Sequence, residues 1–112
     1  MHNYGNHIRD FTYVTDITDA IKKLINKRSQ KKIPYQIFNI GNGKPEKLIK
    51  FIKTIEKLLK KKAKVIKIPK QQGDVFKTHA DISALQSRIN YKPNKTLMNG
   101  IYNFIKWYKK YY

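Results

Sequence analysis

Two short polar motifs contain the side chains of this chain that are best suited to bind a nucleotide. They are RDFTYVTDI at residues 9–17 and QQGDV at residues 71–75. The guanidinium of Arg9 could grip a diphosphate with its planar fork, and a helix that begins just after it would add backbone N–H groups. Asp74 could accept hydrogen bonds from two ribose hydroxyls, and Gly73 allows a tight, positive-φ backbone beside it. From residue types alone, the simpler interpretations are a surface Arg9–Asp10 pair and an ordinary glycine–aspartate turn.

The elements that must position the first motif can be predicted from turn residues and apolar periodicity. Residues 1–14 are predicted to form a β-hairpin that turns at Gly5-Asn6. A helix capped by Thr15 or Asp16 should follow, because its apolar side chains fall on one face: Ile17, Ala20, Ile21, Leu24 and Ile25. Residues 35–40 are predicted to form a strand that ends in a turn at 41–43.

Predicted helices and strands also alternate in the second half of the chain. Pro45 suits the first turn of a second helix, whose wide apolar stripe ends at the lysines 60–62. Residues 65–68 are typical of a strand, and residues 71–77 of a loop. Asp81 should cap a short helix that reaches Ile89, and Thr96 a last helix whose aromatic stripe is predicted to lie in the core. The fold class is therefore α/β, a small mixed domain of short strands and about four helices.

The net charge of +18 invites comparison with nucleic-acid-binding proteins. Only three of the 25 basic residues are arginines, namely Arg9, Arg28 and Arg88. Proteins that read phosphates and bases favour arginine for its bidentate fork. The excess charge is therefore interpreted as a solvated, lysine-biased surface, with a functional basic patch as the alternative.

Composition also excludes several kinds of site. There is no cysteine, so disulfides and thiolate metal sites are absent. The histidines His2, His7 and His79 do not have metal-ligand spacing, so no metal is expected. No apolar run approaches the roughly 20 residues that cross a bilayer, and the N-terminus lacks the pattern of a signal peptide. A cytoplasmic location without membrane contact is the resulting expectation.

In this order, the two motifs resemble the C-terminal, sugar-nucleotide-binding part of the extended short-chain dehydrogenase/reductase family. The strongest resemblance is to the UDP-glucuronate 4-epimerases. The first motif departs from the family mainly at Thr15, where an acidic residue is usual. The strand-to-turn segment NIGNG at residues 39–43 and the last helix also resemble the family, so that the similarity extends from Asn3 to Tyr112.

The resemblance implies specific roles for three residues. It implies that Arg9 contacts the phosphates or ribose of UDP. The position of Gln71 is an arginine in the related galactose epimerases and usually a glutamine in the glucuronate branch, so Gln71 would hydrogen-bond without adding charge. With Asp74 on the ribose, the expected substrate-binding residues are Arg9, Gln71 and Asp74. Arg9 and Asp74 should then reach opposite ends of one uridine diphosphate.

The resemblance also implies what the chain lacks. In the family, NAD and the catalytic tyrosine–lysine pair belong to a Rossmann lobe that would lie upstream of Met1. Tyr91…Lys95 and Tyr102…Lys106 share the spacing of that pair but lie downstream of the substrate motifs, so neither is expected to be catalytic. The turn at 41–43 lacks the third glycine of a dinucleotide-binding loop. No cofactor is therefore expected on this chain alone.

These observations favour one function and leave two alternatives. Residues 1–112 are expected to be the UDP-sugar-binding portion of an NAD-dependent UDP-sugar 4-epimerase, inactive by itself, with a separately encoded Rossmann lobe as a candidate partner. A small nucleic-acid-binding module is the first alternative, but it needs aromatic and basic residues on one exposed surface. A regulatory subunit that only binds the ligand is the second. The sugar remains open among glucuronate, galacturonate, glucose and N-acetylated sugars, as does the oligomeric state.

Overall fold

The computed structural model describes all 112 residues and contains four helices and a two-stranded sheet. A 3₁₀ turn at His2–Gly5 precedes the first strand. The elements then follow as β1 (Ile8–Arg9), α1 (Val14–Ile25), β2 (Glu46–Lys47), α2 (Leu48–Leu59), α3 (Ser83–Ile89) and α4 (Leu97–Tyr111). This arrangement confirms the predicted fold class of short strands and four helices.

Strand β1 lies between two segments that are distant in sequence. On one side it pairs antiparallel with β2, with Ile8 opposite Lys47 and Arg9 opposite Glu46. On the other side Ile8 accepts from the Thr78 N–H at 3.1 Å and donates its own N–H to the Phe76 carbonyl at 3.0 Å. Residues 74–78 are therefore held beside Arg9 by backbone hydrogen bonds.

The buried core is small and lies between α1 and α3. It consists of Ala20, Leu85, Ile89 and Tyr91, against which Leu24, Phe38, Ile40 and Ile82 pack. The Tyr91 hydroxyl donates to the Gly41 carbonyl at 2.9 Å, so its polar tip is satisfied inside the core. This contact ties the turn at 41–43 to the core.

The hairpin predicted for residues 1–14 is wrong. Asn3, Tyr4 and Gly5 all have positive φ, which curls the chain into the 3₁₀ turn instead of continuing a strand. The partner of β1 is β2, which lies more than thirty residues further along the chain. Short strands carry little information about their neighbours, because pairing is decided by the whole fold.

The strands predicted at 35–40 and 65–68 are also wrong. Residues 35–40 have no neighbouring strand, and Tyr35 and Ile37 are exposed. Ile68 exchanges backbone hydrogen bonds with Met1 and Tyr4, but these do not extend into a ladder. A sequence with strand propensity becomes a strand only where a second strand meets its N–H and C=O groups.

The predicted helix signals have mixed outcomes. Thr96 caps α4, since its hydroxyl accepts from the Asn99 N–H at 3.2 Å, and Asp81 accepts from the Ser83 N–H at 3.0 Å at the start of α3. Pro45 lies before α2 and not in its first turn. The predicted cap of α1 is wrong, because the helix begins after Tyr13 without a side-chain cap. Asp16 is buried and instead accepts from the backbone N–H groups of Asn94 and Lys95.

The aromatic stripe of α4 was expected in the core and is instead exposed. The ring of Trp107 is 51% exposed, and its neighbours on the same helix are similarly open: Tyr102, Phe104, Tyr108 and Tyr111. The rings contact one another along the helix: Phe104 and Tyr108 are stacked with centroids 6.2 Å apart, and Trp107 is tilted against Phe104 at 5.8 Å and against Tyr111 at 5.7 Å. Helical periodicity identifies an apolar face but not whether another element covers it. None of the helices has the length and apolar content required to span a bilayer.

Candidate functional site

The Arg9 guanidinium is held in place by β1 itself and by the neighbouring segment 74–78. Its Nη1 donates to the Ile8 carbonyl at 2.9 Å and to the Phe76 carbonyl at 3.1 Å, and its Nη2 donates to Asp74 Oδ1 at 2.9 Å. An arginine has five N–H donors, so two remain for a ligand. The side chain is 26% exposed, so the guanidinium site is partly open to solvent.

Asp74 reaches Arg9 from a tight turn. The Asp74 N–H donates to the Gln71 carbonyl at 3.2 Å, and Gly73 has a φ of +82°. A positive φ at this position of a turn favours glycine. A Cβ atom at Gly73 would meet nothing within 4 Å, so backbone conformation and not space explains the glycine. The carboxylate is 31% exposed and keeps acceptor positions free on both oxygens.

The structure brings Arg9 and Asp74 together, as the sequence predicts, but the expectation that they reach opposite ends of one uridine diphosphate is wrong, because they contact each other directly at 2.9 Å. Gln71 belongs to the same turn as Asp74, and its exposed side chain makes no hydrogen bond within the chain. Because the α-phosphate and the ribose are adjacent groups of a nucleotide, a paired arginine and aspartate are close enough to touch both. Whether the three side chains bind a nucleotide stays a prediction.

The Arg9–Asp10 surface pair, the simpler interpretation of the first motif, is wrong. Asp10 Oδ2 instead accepts from the backbone N–H groups of Gly43 at 3.0 Å and Ala80 at 3.1 Å. The Asp10 N–H donates to the Thr78 hydroxyl at 3.1 Å. Asp10 therefore ties the glycine turn and the segment after Asp74 to the end of β1.

His7 is a member of the site that sequence reasoning did not assign. It is 3% exposed, and its Nε2 lies 3.3 Å from Asp74 Oδ2. This distance is within ion-pair range, but Nε2 does not point along a hydrogen-bond direction and has no hydrogen-bond partner. The signal was present in the sequence: residues two apart on an extended segment face the same side, so His7 and Arg9 project together.

The turn at 41–43 does not fit the phosphates of a dinucleotide. The Gly43 N–H is already used by Asp10, and the Gly41 carbonyl accepts from Tyr91. Gly41 is buried, and a Cβ there would lie 2.4 Å from the Ala80 Cβ. The glycines serve close packing, so the chain's own residues offer no dinucleotide loop at this turn.

The chain is similar over nearly its whole length to longer proteins. It is 46% identical over 108 residues to an uncharacterized protein of Methanocaldococcus jannaschii, covering 96% of this chain and 32% of that protein. It is 39% identical over 121 residues to UDP-glucuronate 4-epimerase 4 of Arabidopsis thaliana, covering 98% of this chain and 28% of that enzyme. The chain spans about a third of the length of these relatives. No family model matches it.

The fold is also shared with solved structures. The structure of UDP-glucuronic acid 4-epimerase from Bacillus cereus, in complex with UDP-glucuronic acid and NAD, matches with a TM-score of 0.87 and 26% identity. The match covers 100% of this chain and 35% of that enzyme, in its C-terminal part. The resemblance drawn from the two motifs is therefore confirmed.

Proposed function

We propose that this chain, which is homologous over its whole length to the C-terminal part of UDP-glucuronate 4-epimerases, is the substrate-binding part of an NAD-dependent UDP-sugar 4-epimerase. Its substrate is a UDP-sugar of the glucuronate type. The observation that carries the proposal is the convergence of Arg9 and Asp74, which come from distant stretches of chain and meet at 2.9 Å.

The division of labour between these side chains follows from their free hydrogen-bonding groups. Arg9 directs its two unused N–H donors to a phosphate, where charge-assisted hydrogen bonds are strong. Asp74 accepts from the ribose hydroxyls, and Gln71 adds a neutral hydrogen bond at the edge of the turn. Binding of the diphosphate and ribose thereby fixes the position of the sugar.

Positioning is the contribution of this part to catalysis. Holding a reacting group in a defined orientation removes a large part of the entropic barrier of a reaction. In a complete enzyme, NAD supplies hydride exchange at C4 of the sugar. The glycine turn at 41–43 does not fit that cofactor, so we assign the cofactor to the rest of the enzyme, on the same or a separate polypeptide. By itself the chain is expected to bind UDP without epimerase activity.

Calorimetric titration with UDP tests the proposal. We expect the Arg9→Ala variant to bind UDP at least about tenfold more weakly than the unmodified chain, because a charge-assisted hydrogen bond is lost. Arg28→Ala is the matched control, since it removes an exposed arginine and the same charge elsewhere. Its affinity should stay within about twofold of the unmodified chain.

Titrations with uridine and UMP assign the contacts. Arg9→Ala should weaken UDP and UMP but leave the weak binding of uridine unchanged, whereas Asp74→Asn should weaken all three. Equal losses in Arg9→Ala and Arg28→Ala would show that net charge alone attracts the nucleotide, and the proposed site would be abandoned.

A second candidate function is supported by one specific observation. The exposed aromatic stripe of α4 is interleaved with Lys106, Lys109 and Lys110, and Lys110 Nζ lies 5.5 Å from the ring centre of Tyr111. Alternating cations and aromatic faces are the features that bind single-stranded nucleic acid. Quenching of Trp107, the single tryptophan, by single-stranded oligonucleotides at several salt concentrations tests this candidate. Micromolar binding with a steep salt dependence, together with no UDP binding, would favour it over the epimerase part.

A further inference from the structure

His7 is the most deeply buried polar side chain next to the Arg9–Asp74 pair. It is 3% exposed and lies edge-on to Phe76, with ring centroids 6.4 Å apart and an interplanar angle of 67°. Its Nε2 has no hydrogen-bond partner, although Asp74 Oδ2 is 3.3 Å away. A buried nitrogen without a partner costs free energy, so a small rotation that completes this hydrogen bond is favourable.

Asp74 is flanked by a cationic or proton-bearing group on each oxygen. Oδ1 accepts from Arg9 Nη2, and Oδ2 faces His7 Nε2. The backbone of Asp74 is fixed by its turn with Gln71. Glu46, which lies opposite Arg9 across the sheet, is engaged with Lys50 and does not compete for Arg9.

Phosphate binding sets up a competition at Arg9. A phosphate that accepts from the unused N–H groups of Arg9 shares the guanidinium charge with Asp74 and so weakens the hydrogen bond from Nη2 to Asp74. Asp74 is only partly exposed, so its carboxylate then needs another donor to remain charged and oriented. His7 is the only other side chain within ion-pair distance of that carboxylate.

We propose that His7 is a positioning residue of the nucleotide site. Its Nε2–H donates to Asp74 Oδ2, holds the carboxylate toward the ribose hydroxyls, and supplies a second donor to the carboxylate when the phosphate shares the Arg9 guanidinium. This inference rests on the proposed function, since it assigns His7 to the same UDP site.

UDP affinity in a set of His7 and Asp74 variants tests the inference. His7→Leu removes the donor and should raise the Kd for UDP roughly tenfold, the loss typical of a hydrogen bond to a charged group. His7→Gln, whose amide Nε2 can donate from a similar position, should stay within about threefold of the unmodified chain. In an Asp74→Asn background, His7→Leu should cause little further loss, because its effect passes through the carboxylate.

Imidazole ¹⁵N spectra give a readout that does not require UDP. We expect a hydrogen on Nε2 in the unmodified chain and a changed ¹⁵N shift in Asp74→Asn. A bare Nε2 in the unmodified chain would overturn the inference. Far-UV circular dichroism of each variant verifies that its helices are retained.

The outcomes separate the inference from the proposed function. Equal losses in His7→Leu and His7→Gln, or a full loss that persists in Asp74→Asn, would mean a packing role and would overturn the inference alone. If the unmodified chain fails to bind UDP, the proposed function fails and the nucleotide role of His7 fails with it.

Discussion

At the scale of single residues, Asp10 determines how the two motifs meet. Its Oδ2 accepts from the N–H groups of Gly43 and Ala80, and its backbone N–H donates to Thr78. These three contacts join segments separated by more than thirty residues of chain. Arg9, the neighbouring residue, can reach Asp74 only because the 74–80 segment is held alongside β1. Asp10, which the sequence suggested as a surface partner of Arg9, therefore holds together the segments that form the Arg9 site.

Removing the Asp10 side chain should loosen the turn at 41–43 and the segment 74–80. We expect Asp10→Ala to destabilise the fold by about 3 kcal/mol, because two backbone donors lose a charged acceptor. Hydrogen exchange at the amides of Gly43 and Ala80 should accelerate most, and UDP affinity should fall as Arg9 loses its alignment. Asp19→Ala, which removes an exposed carboxylate of α1, is the matched control and should leave both amides protected. Unchanged hydrogen exchange at Gly43 and Ala80 in Asp10→Ala would contradict this role of Asp10.

At the scale of elements, Tyr91 joins the end of α3 to the turn at 41–43. Its ring belongs to the core cluster with α1, and its hydroxyl donates to Gly41. Burial raises the pKa of the Tyr91 phenol, and the nearby carboxylates of Asp16 and Asp10 raise this pKa further. The folded chain therefore holds the phenolic proton more tightly than the unfolded chain does.

The raised pKa of Tyr91 determines how the free energy of unfolding changes with pH. The contribution of Tyr91 to the free energy of unfolding is complete below the ordinary tyrosine pKa of about 10. It is lost as the pH rises through the higher pKa that Tyr91 has in the folded chain. We expect Tyr91→Phe to lose roughly 1 kcal/mol near neutral pH with the hydrogen bond to Gly41. Above about pH 10 its stability should fall less steeply than that of the unmodified chain. Urea unfolding midpoints across this range measure both effects, and parallel pH profiles would refute the assignment.

At the scale of the whole molecule, the chain has more surface than a compact protein of its size. The accessible surface is 8967 Å², whereas a compact monomer of this mass has about 6,500 Å². The radius of gyration is 17.2 Å, against about 13 Å for a compact domain of this length. Exposed apolar side chains include Ile33, Tyr35 and Ile37 as well as the α4 stripe. Such a surface agrees with the proposed docking against a cofactor lobe.

The isolated chain should therefore unfold without a sharp transition. The small core provides little cooperative stability, and a net charge of +18 adds self-repulsion that salt screens. We expect a broad thermal transition, binding of a hydrophobic dye at neutral pH, and a midpoint that rises with added sodium chloride. A sharp two-state transition of a monomer, insensitive to salt and without dye binding, would contradict this expectation.

Local patterns in the sequence were enough to predict the helices and to propose Arg9, Gln71 and Asp74 as candidate site residues. Helices α1, α2 and α4 follow from the spacing of apolar residues, and the Thr96 cap follows from a side chain that bonds three residues away. These signals are local, because i to i+4 hydrogen bonds depend on neighbouring residues only. The two motifs likewise carried the resemblance that the comparisons bear out.

How distant segments meet became clear only from the folded chain. The pairing of β1 with β2, the use of Asp10 and Asp16 as acceptors for remote backbone N–H groups, and the burial of His7 beside Asp74 all join residues far apart in the chain. The exposure of the α4 stripe depends in the same way on which elements lie against it. The type of a residue determines which groups its side chain can bind. Which of many possible partners it binds is decided by long-range packing.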